Sequence, residues 1–87
     1  MFRTKYTGPT DKGGSKVTAF STLAGGHRRQ TTIPYPYHLS GTDVHLAAVV
    51  AHIERLSGPI TQSYVDTIER IEVHDLGTGY GFDFIQP

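Results

Sequence analysis

Two stretches of the chain carry side chains suited to holding an anionic ligand. The first runs from Gly8 through Pro9, Thr10, Asp11, Lys12, Gly13 and Gly14 to Ser15 and Lys16. Glycine leaves backbone N–H groups open to a guest, and such a loop with hydroxyls and ammonium groups beside it can cradle an anion. Thr10, Lys12, Ser15 and Lys16 are its candidate donors. The same stretch also reads as an ordinary turn, because Gly, Pro, Asp and Ser favour turns. The second stretch is Tyr35, Pro36, Tyr37 and His38, close after Arg28 and Arg29. Prolines alternating with tyrosines stiffen the backbone and present two rings. Rings beside guanidinium groups suit a nucleobase and its phosphate. The plainer use of Tyr35 and Tyr37 is to wedge a following helix against a sheet, since tyrosines often edge a core.

Motifs for stronger chemistry are incomplete. The loop approaches a nucleotide-binding P-loop, but that pattern requires Lys where Gly14 stands, and a helix must follow. Here a strand pattern follows. Gly77, Gly79 and Gly81 do not make a dinucleotide fingerprint, because Phe82 takes the place of its third glycine. The histidines are His27, His38, His45, His52 and His74. His45 and His52 share a helix face but stand two turns apart, too far for one metal ion. There is no cysteine, hence no disulfide, thiolate nucleophile or cysteine-ligated zinc. Nothing marks a catalytic triad. The reading is a binding protein without catalytic residues, metal or cofactor.

Local elements must position these groups. Phe2 to Tyr6 is a short first strand. Lys16 to Leu23 alternates, with Val17, Ala19 and Leu23 on one face and Thr18, Phe20 and Thr22 on the other, which is a strand period. Gly25 and Gly26 then signal a hairpin, and Arg28 to Ile33 alternates as its partner. Pro34 and Pro36 end regular pairing. Ser40 is placed to cap a helix, with Asp43 three residues on. Thr42 to Leu56 is apolar over most of its circumference and needs cover on more than one side. Ser57, Gly58 and Pro59 stop it. Ile60 to Glu69 is ambiguous between helix and loop. Arg70 to Leu76, with Ile71 and Val73 inward, and Tyr80, Phe82 and Phe84 form a closing hairpin. The expected fold is α+β: about five strands in the order β-β-β-α-β-β, in a small antiparallel sheet packed on one main helix. It forms a single domain over residues 1–87.

Composition narrows the partners. The 87 residues have an apolar fraction of 37% and zero formal net charge. So thin a core favours self-association into a homo-oligomer. Residues 1–37 carry Arg3, Lys5, Lys12, Lys16, Arg28 and Arg29 against Asp11 alone, and the remainder is acidic by the same margin. The two halves face each other, or the basic half meets an anion. Zero net charge argues against nucleic acid as the partner. No apolar run is long enough to span a membrane, and the start of the chain lacks a signal-peptide core. A cytoplasmic location is expected.

One set of residues resembles a known group. Thr7, Gly8, Pro9 and Thr10, then Gly14, Ser15 and Lys16, then Thr32, Ile33, Pro34 and Tyr35, then His38, Leu39, Ser40 and Gly41, and finally His45, Leu46, Ala47 and Ala48 are similar to a family of short bacteriophage and prophage proteins. The likeness spans about the first two-thirds of the chain, and relatives tend to carry Arg at Lys16. It implies a phage accessory protein acting in the bacterial host cell, and it carries over no catalytic residue. Such proteins commonly act by binding. The expected role is anti-defence: sequestering a nucleotide immune signal through Thr10, Lys12, Ser15, Lys16, Arg28, Arg29, Tyr35 and Tyr37. The alternative is a protein–protein inhibitor of a host defence protein.

Overall fold

The computed structural model describes residues 2–9, 13–22, 26 and 28–87. Strands β1 (Phe2–Thr7), β2 (Lys16–Thr22) and β3 (Arg28–Pro34) precede helices α1 (Thr42–Ser57) and α2 (Gln62–Asp66), and strands β4 (Arg70–Asp75) and β5 (Tyr80–Ile85) follow. The strands form one sheet in the order β3-β2-β1-β5-β4, and every neighbouring pair is antiparallel. The α+β architecture and element order read from the periodicity are those of the structure. The ambiguous segment before β4 contains the one-turn helix α2, capped by the Thr61 hydroxyl, which accepts from the Tyr64 N–H at 3.2 Å. Between β2 and β3, Gly26 has φ of 82°, the left-handed region that glycine enters readily. Gly25 and Leu23 lie outside the described residues.

Alternation in β2 sets the two faces of the sheet. Val17 and Ala19 are fully buried under α1, together with Phe82 of β5. The helix meets them with Val44, Ala48, Val49, His52 and Ile53, a stripe at helical spacing. Its outer face carries the half-buried, mostly small Ala47, Val50 and Ala51. The sheet thus covers one side of the helix and leaves these residues partly open on the other. Nor does Ser40 cap it: Gly41 is the N-cap residue, and no side chain bonds the first turn. Gly41 has φ of 61°, so the chain turns sharply into the helix there.

Two histidines of α1 bind the sheet through hydroxyls. His52 is fully buried, with Nε2 2.8 Å from Ser21 Oγ and Nδ1 2.8 Å from Thr31 Oγ1. A neutral imidazole has one donor and one acceptor nitrogen, and a hydroxyl can serve either, so both bonds form without a charge. Nearer the helix start, His45 Nδ1 lies 2.7 Å from Thr4 Oγ1. That hydroxyl also accepts from the Tyr80 N–H at 3.1 Å and donates to the Tyr80 carbonyl at 3.2 Å. A hydroxyl has one proton, so all three contacts are met together when Nδ1 of His45 carries the hydrogen. Burial pushes both imidazoles below their ordinary pKa, with the Arg55 charge adding to the effect at His52. Among the described residues, no buried side-chain polar atom lacks a partner.

The helix reaches β1, β2, β3 and part of β5 but leaves β4, the far edge, uncovered. Ile71 pairs with Phe84 and Val73 with Phe82, so both lie on the helix-side face as their alternation predicts. They are nevertheless 40% and 46% exposed. One helix is too narrow to cover five strands, which average about 4.8 Å apart.

Candidate ligand cleft

The loop before β2 and the segment after β3 meet at one end of the sheet. β2 and β3 pair from Thr22 opposite Arg28 to Lys16 opposite Pro34. Pro34 has no N–H to donate, but Tyr35 restores the pairing by donating its N–H to the Ser15 carbonyl at 3.0 Å. Pro34 thus does not end contact between the strands, and the bond holds Tyr35 beside the loop. A cleft of about 430 Å³ opens there, lined by Gly14, Ser15, Lys16, Thr32, Ile33, Pro34, Tyr35 and Tyr37.

Aromatic packing builds its wall. The ring of Tyr35 stands 5.7 Å from Tyr6, edge to face at 81°, and 4.9 Å from Tyr37. The Tyr6 hydroxyl is 3.1 Å from Ser15 Oγ. Tyr35 is half-buried and packs on the core, so it serves as the expected wedge. Tyr37 is different: it is 78% exposed, and its ring is available for stacking. The Lys16 side chain lies over Gly13, where an added Cβ would stand 3.7 Å from Nζ. An ammonium, a glycine-bearing loop and an open ring therefore border one cleft. Such a lining offers an aromatic group a ring to stack on and an anion a cation beside it.

Not all the candidate donors are there. Ser15, Lys16, Tyr35 and Tyr37 converge; Thr10 and Lys12 lie outside the described residues. Arg28 and Arg29 are at the other end of the ladder. Arg28 lies six residues along the strand from Pro34, which at the usual strand rise is roughly 20 Å. It stands over the Phe20 ring at 4.6 Å and lines a separate cavity of about 530 Å³ with Arg3, Ser21 and Thr22. Arg29 pairs with Ser21, the partner of His52, and so faces the helix side. The proximity of Arg28 and Arg29 to Tyr35 in sequence is undone by the length of the intervening strand.

No protein-family model, curated protein or solved structure matches this chain. The site must therefore be read from its own geometry. Tyr6 has no motif to mark it in the sequence; the β1–β2 register places it opposite Val17, within reach of Ser15. A further cleft of about 380 Å³ on the other side of Tyr35 includes His45, Asp75 and Tyr80. His45 is committed there to Thr4.

The open face of the sheet shows how the charge asymmetry is used. Registers place Arg3, Lys5, Lys16 and Arg28 on this face of β1, β2 and β3, and Arg70, Glu72, His74 and Asp83 on the same face of β4 and β5. Basic and acidic residues thus lie side by side on one sheet. Glu72, His74 and Asp83 bring their ligand atoms within 4.8 Å of one another. His74 Nε2 is 3.2 Å from Asp83 Oδ2, and the Arg70 guanidinium is 3.4 Å from Glu72. The arginine supplies the positive charge that a cation would otherwise bring, and the group reads as an exposed ion-pair network. Among the described residues, no helix is long and apolar enough to cross a membrane.

Proposed function

We propose that this protein is a bacteriophage accessory protein that binds and sequesters a small nucleotide-like anion in the host cytoplasm, without chemical conversion. The observation that carries the reading is Tyr37: a ring 78% exposed beside Lys16 and the Gly14–Ser15 backbone. An exposed tyrosine does little for the core, whereas stacking on a base contributes about 1–3 kcal/mol. The Lys16 ammonium offers a charge-assisted bond to phosphate, worth about 1.5–3 kcal/mol. Sequestration needs no general base; it needs a stacking face and a cation held on a rigid sheet edge. A nucleotide immune signal is the ligand class that joins this chemistry to an anti-defence role.

The test is native mass spectrometry of the protein isolated from bacteria with active nucleotide-based defence. The reading predicts an adduct with the mass of a nucleotide, released on denaturation and reduced in the Tyr37→Ala variant. Isolation of only the bare polypeptide, even after incubation with a nucleotide extract from those cells, would contradict it.

A further inference from the structure

The two edges of the sheet are built differently. On β3, Pro34 closes the strand, Arg28 and Arg29 open it, and Arg55 of α1 donates to the Gln30 carbonyl at 3.1 Å. Proline, charge and a covering side chain are the usual ways of stopping a sheet edge from pairing. β4 carries charges of its own in Arg70, Glu72 and Asp75, but among the described residues it lacks the proline and the covering side chain. It contains no proline or lysine, and its helix-side residues Ile71 and Val73 are partly exposed, as is Leu76 beyond it. Ile71 extends an apolar strip, because it pairs with Phe84, whose ring lies 5.6 Å from Phe2. Phe2 in turn borders an apolar cleft of about 400 Å³ with Leu56, Ile60 and Tyr64.

We propose that β4 pairs antiparallel with β4 of a second copy, with Ile71 at the two-fold axis, joining the two sheets into one. Same-face residues must lie opposite each other across such a ladder, which leaves three central registers. Centring on Glu72 sets Glu72 against itself. Centring on Val73 sets Ile71 against Asp75 and Glu72 against His74. Centring on Ile71 sets Ile71 against itself, brings Arg70 of each copy opposite Glu72 of the other, twice, and leaves Val73 against Glu69, which lies one residue outside the strand. Opposite charges directly across a ladder stabilise it and like charges destabilise it, so the strand's own charges favour the last register. Both copies then carry their helices on one side, and the exposed Ile71 and Val73 of the two form a continuous apolar band. The surface is self-complementary, as a two-fold interface requires.

Charge reversal with mixing tests this. Within one chain Arg70 also reaches Glu72, so the variants must break that pair while allowing the intermolecular one. Arg70→Glu and Glu72→Arg do so. Light scattering should give a dimer mass for the natural protein at about 100 µM, a concentration that detects even modest affinity. Each variant alone should be a monomer with the same circular dichroism, and an equal mixture should return to the dimer mass. Ile71→Lys, which sets two ammonium groups at the axis, should be monomeric and unaffected by mixing. A monomeric natural protein, including one that instead captures a host protein through this strip, would overturn the proposal. So would dimeric single variants, or folded variants whose mixture stays monomeric.

Discussion

Thr31 Oγ1 stands 2.8 Å from Nδ1 of His52 in the middle of the core. With Ser21 on Nε2 at 2.8 Å, this bond fixes how α1 sits across β2 and β3. His52→Ala removes a buried ring and leaves both hydroxyls without that partner. The expected loss is about 2–4 kcal/mol, combining cavity formation with unmet hydrogen bonds. Urea unfolding would measure it; a loss too small to detect would show that the pair does not hold the helix.

The same imidazole makes stability depend on pH. Its folded-state pKa lies below the ordinary value of 6.5, because burial disfavours the charged form. The unfolded chain therefore binds the proton first as pH falls. Stability is fully present above about pH 7 and declines as pH drops through 6.5 towards the folded-state value. His45, shifted the same way, adds to the slope. Thermal melts from pH 8 to pH 5 should show the decline, and His52→Ala should flatten it. A melting temperature that rises over this range would contradict the assignment.

Gly79 is the tightest point of the β1–β5 junction. A Cβ there would lie 1.8 Å from the Thr4 carbonyl oxygen, a backbone atom that cannot swing away. Gly79→Ala should cost about 2–3 kcal/mol, at the upper end for overpacking, which for a domain this small lowers Tm by about 10 °C or more. Gly14→Ala is the control, since nothing lies within 4 Å of its added Cβ. Equal melting temperatures for the two variants would sink this reading of the junction.

Strand periods carried most of the fold in the sequence. Val17 and Ala19 alternate with Thr18 and Phe20, and the structure buries the first pair and turns the second to the open face. Half the site was legible for the same reason: a three-strand meander must bring the loop before β2 back to the exit of β3, hence Ser15 and Lys16 to Tyr35 and Tyr37. The grouping of Arg28 and Arg29 with them failed on strand length. Ser40 failed as a cap because the turn at Gly41 places the helix start one residue later. Period two puts Ile71 and Val73 on the helix-side face, where the register has them, but it does not say how far one helix reaches across a sheet.

Lys16 and Tyr37 should matter to ligand binding where Arg28 does not. Each of Lys16→Ala and Tyr37→Ala should weaken nucleotide binding by about tenfold, the lower end for a charge-assisted bond or a stacked base. Arg28→Ala, roughly 20 Å away along the strand, should change it less than twofold. Competition binding with a fluorescent nucleotide would rank the three. The reverse ranking would move the site to the Arg3–Phe20–Arg28 cavity.

The most direct test of the ligand cleft is isothermal titration calorimetry on protein denatured, stripped of bound molecules and refolded. The titrants are a panel of cyclic and linear nucleotides, including dinucleotides. A cation and a stacking face together contribute at most about 6 kcal/mol, which predicts saturable heat weaker than micromolar for at least one member, and loss of most of that heat in Tyr37→Ala. No heat with any member of the panel, from protein whose circular dichroism shows it refolded, would contradict the account.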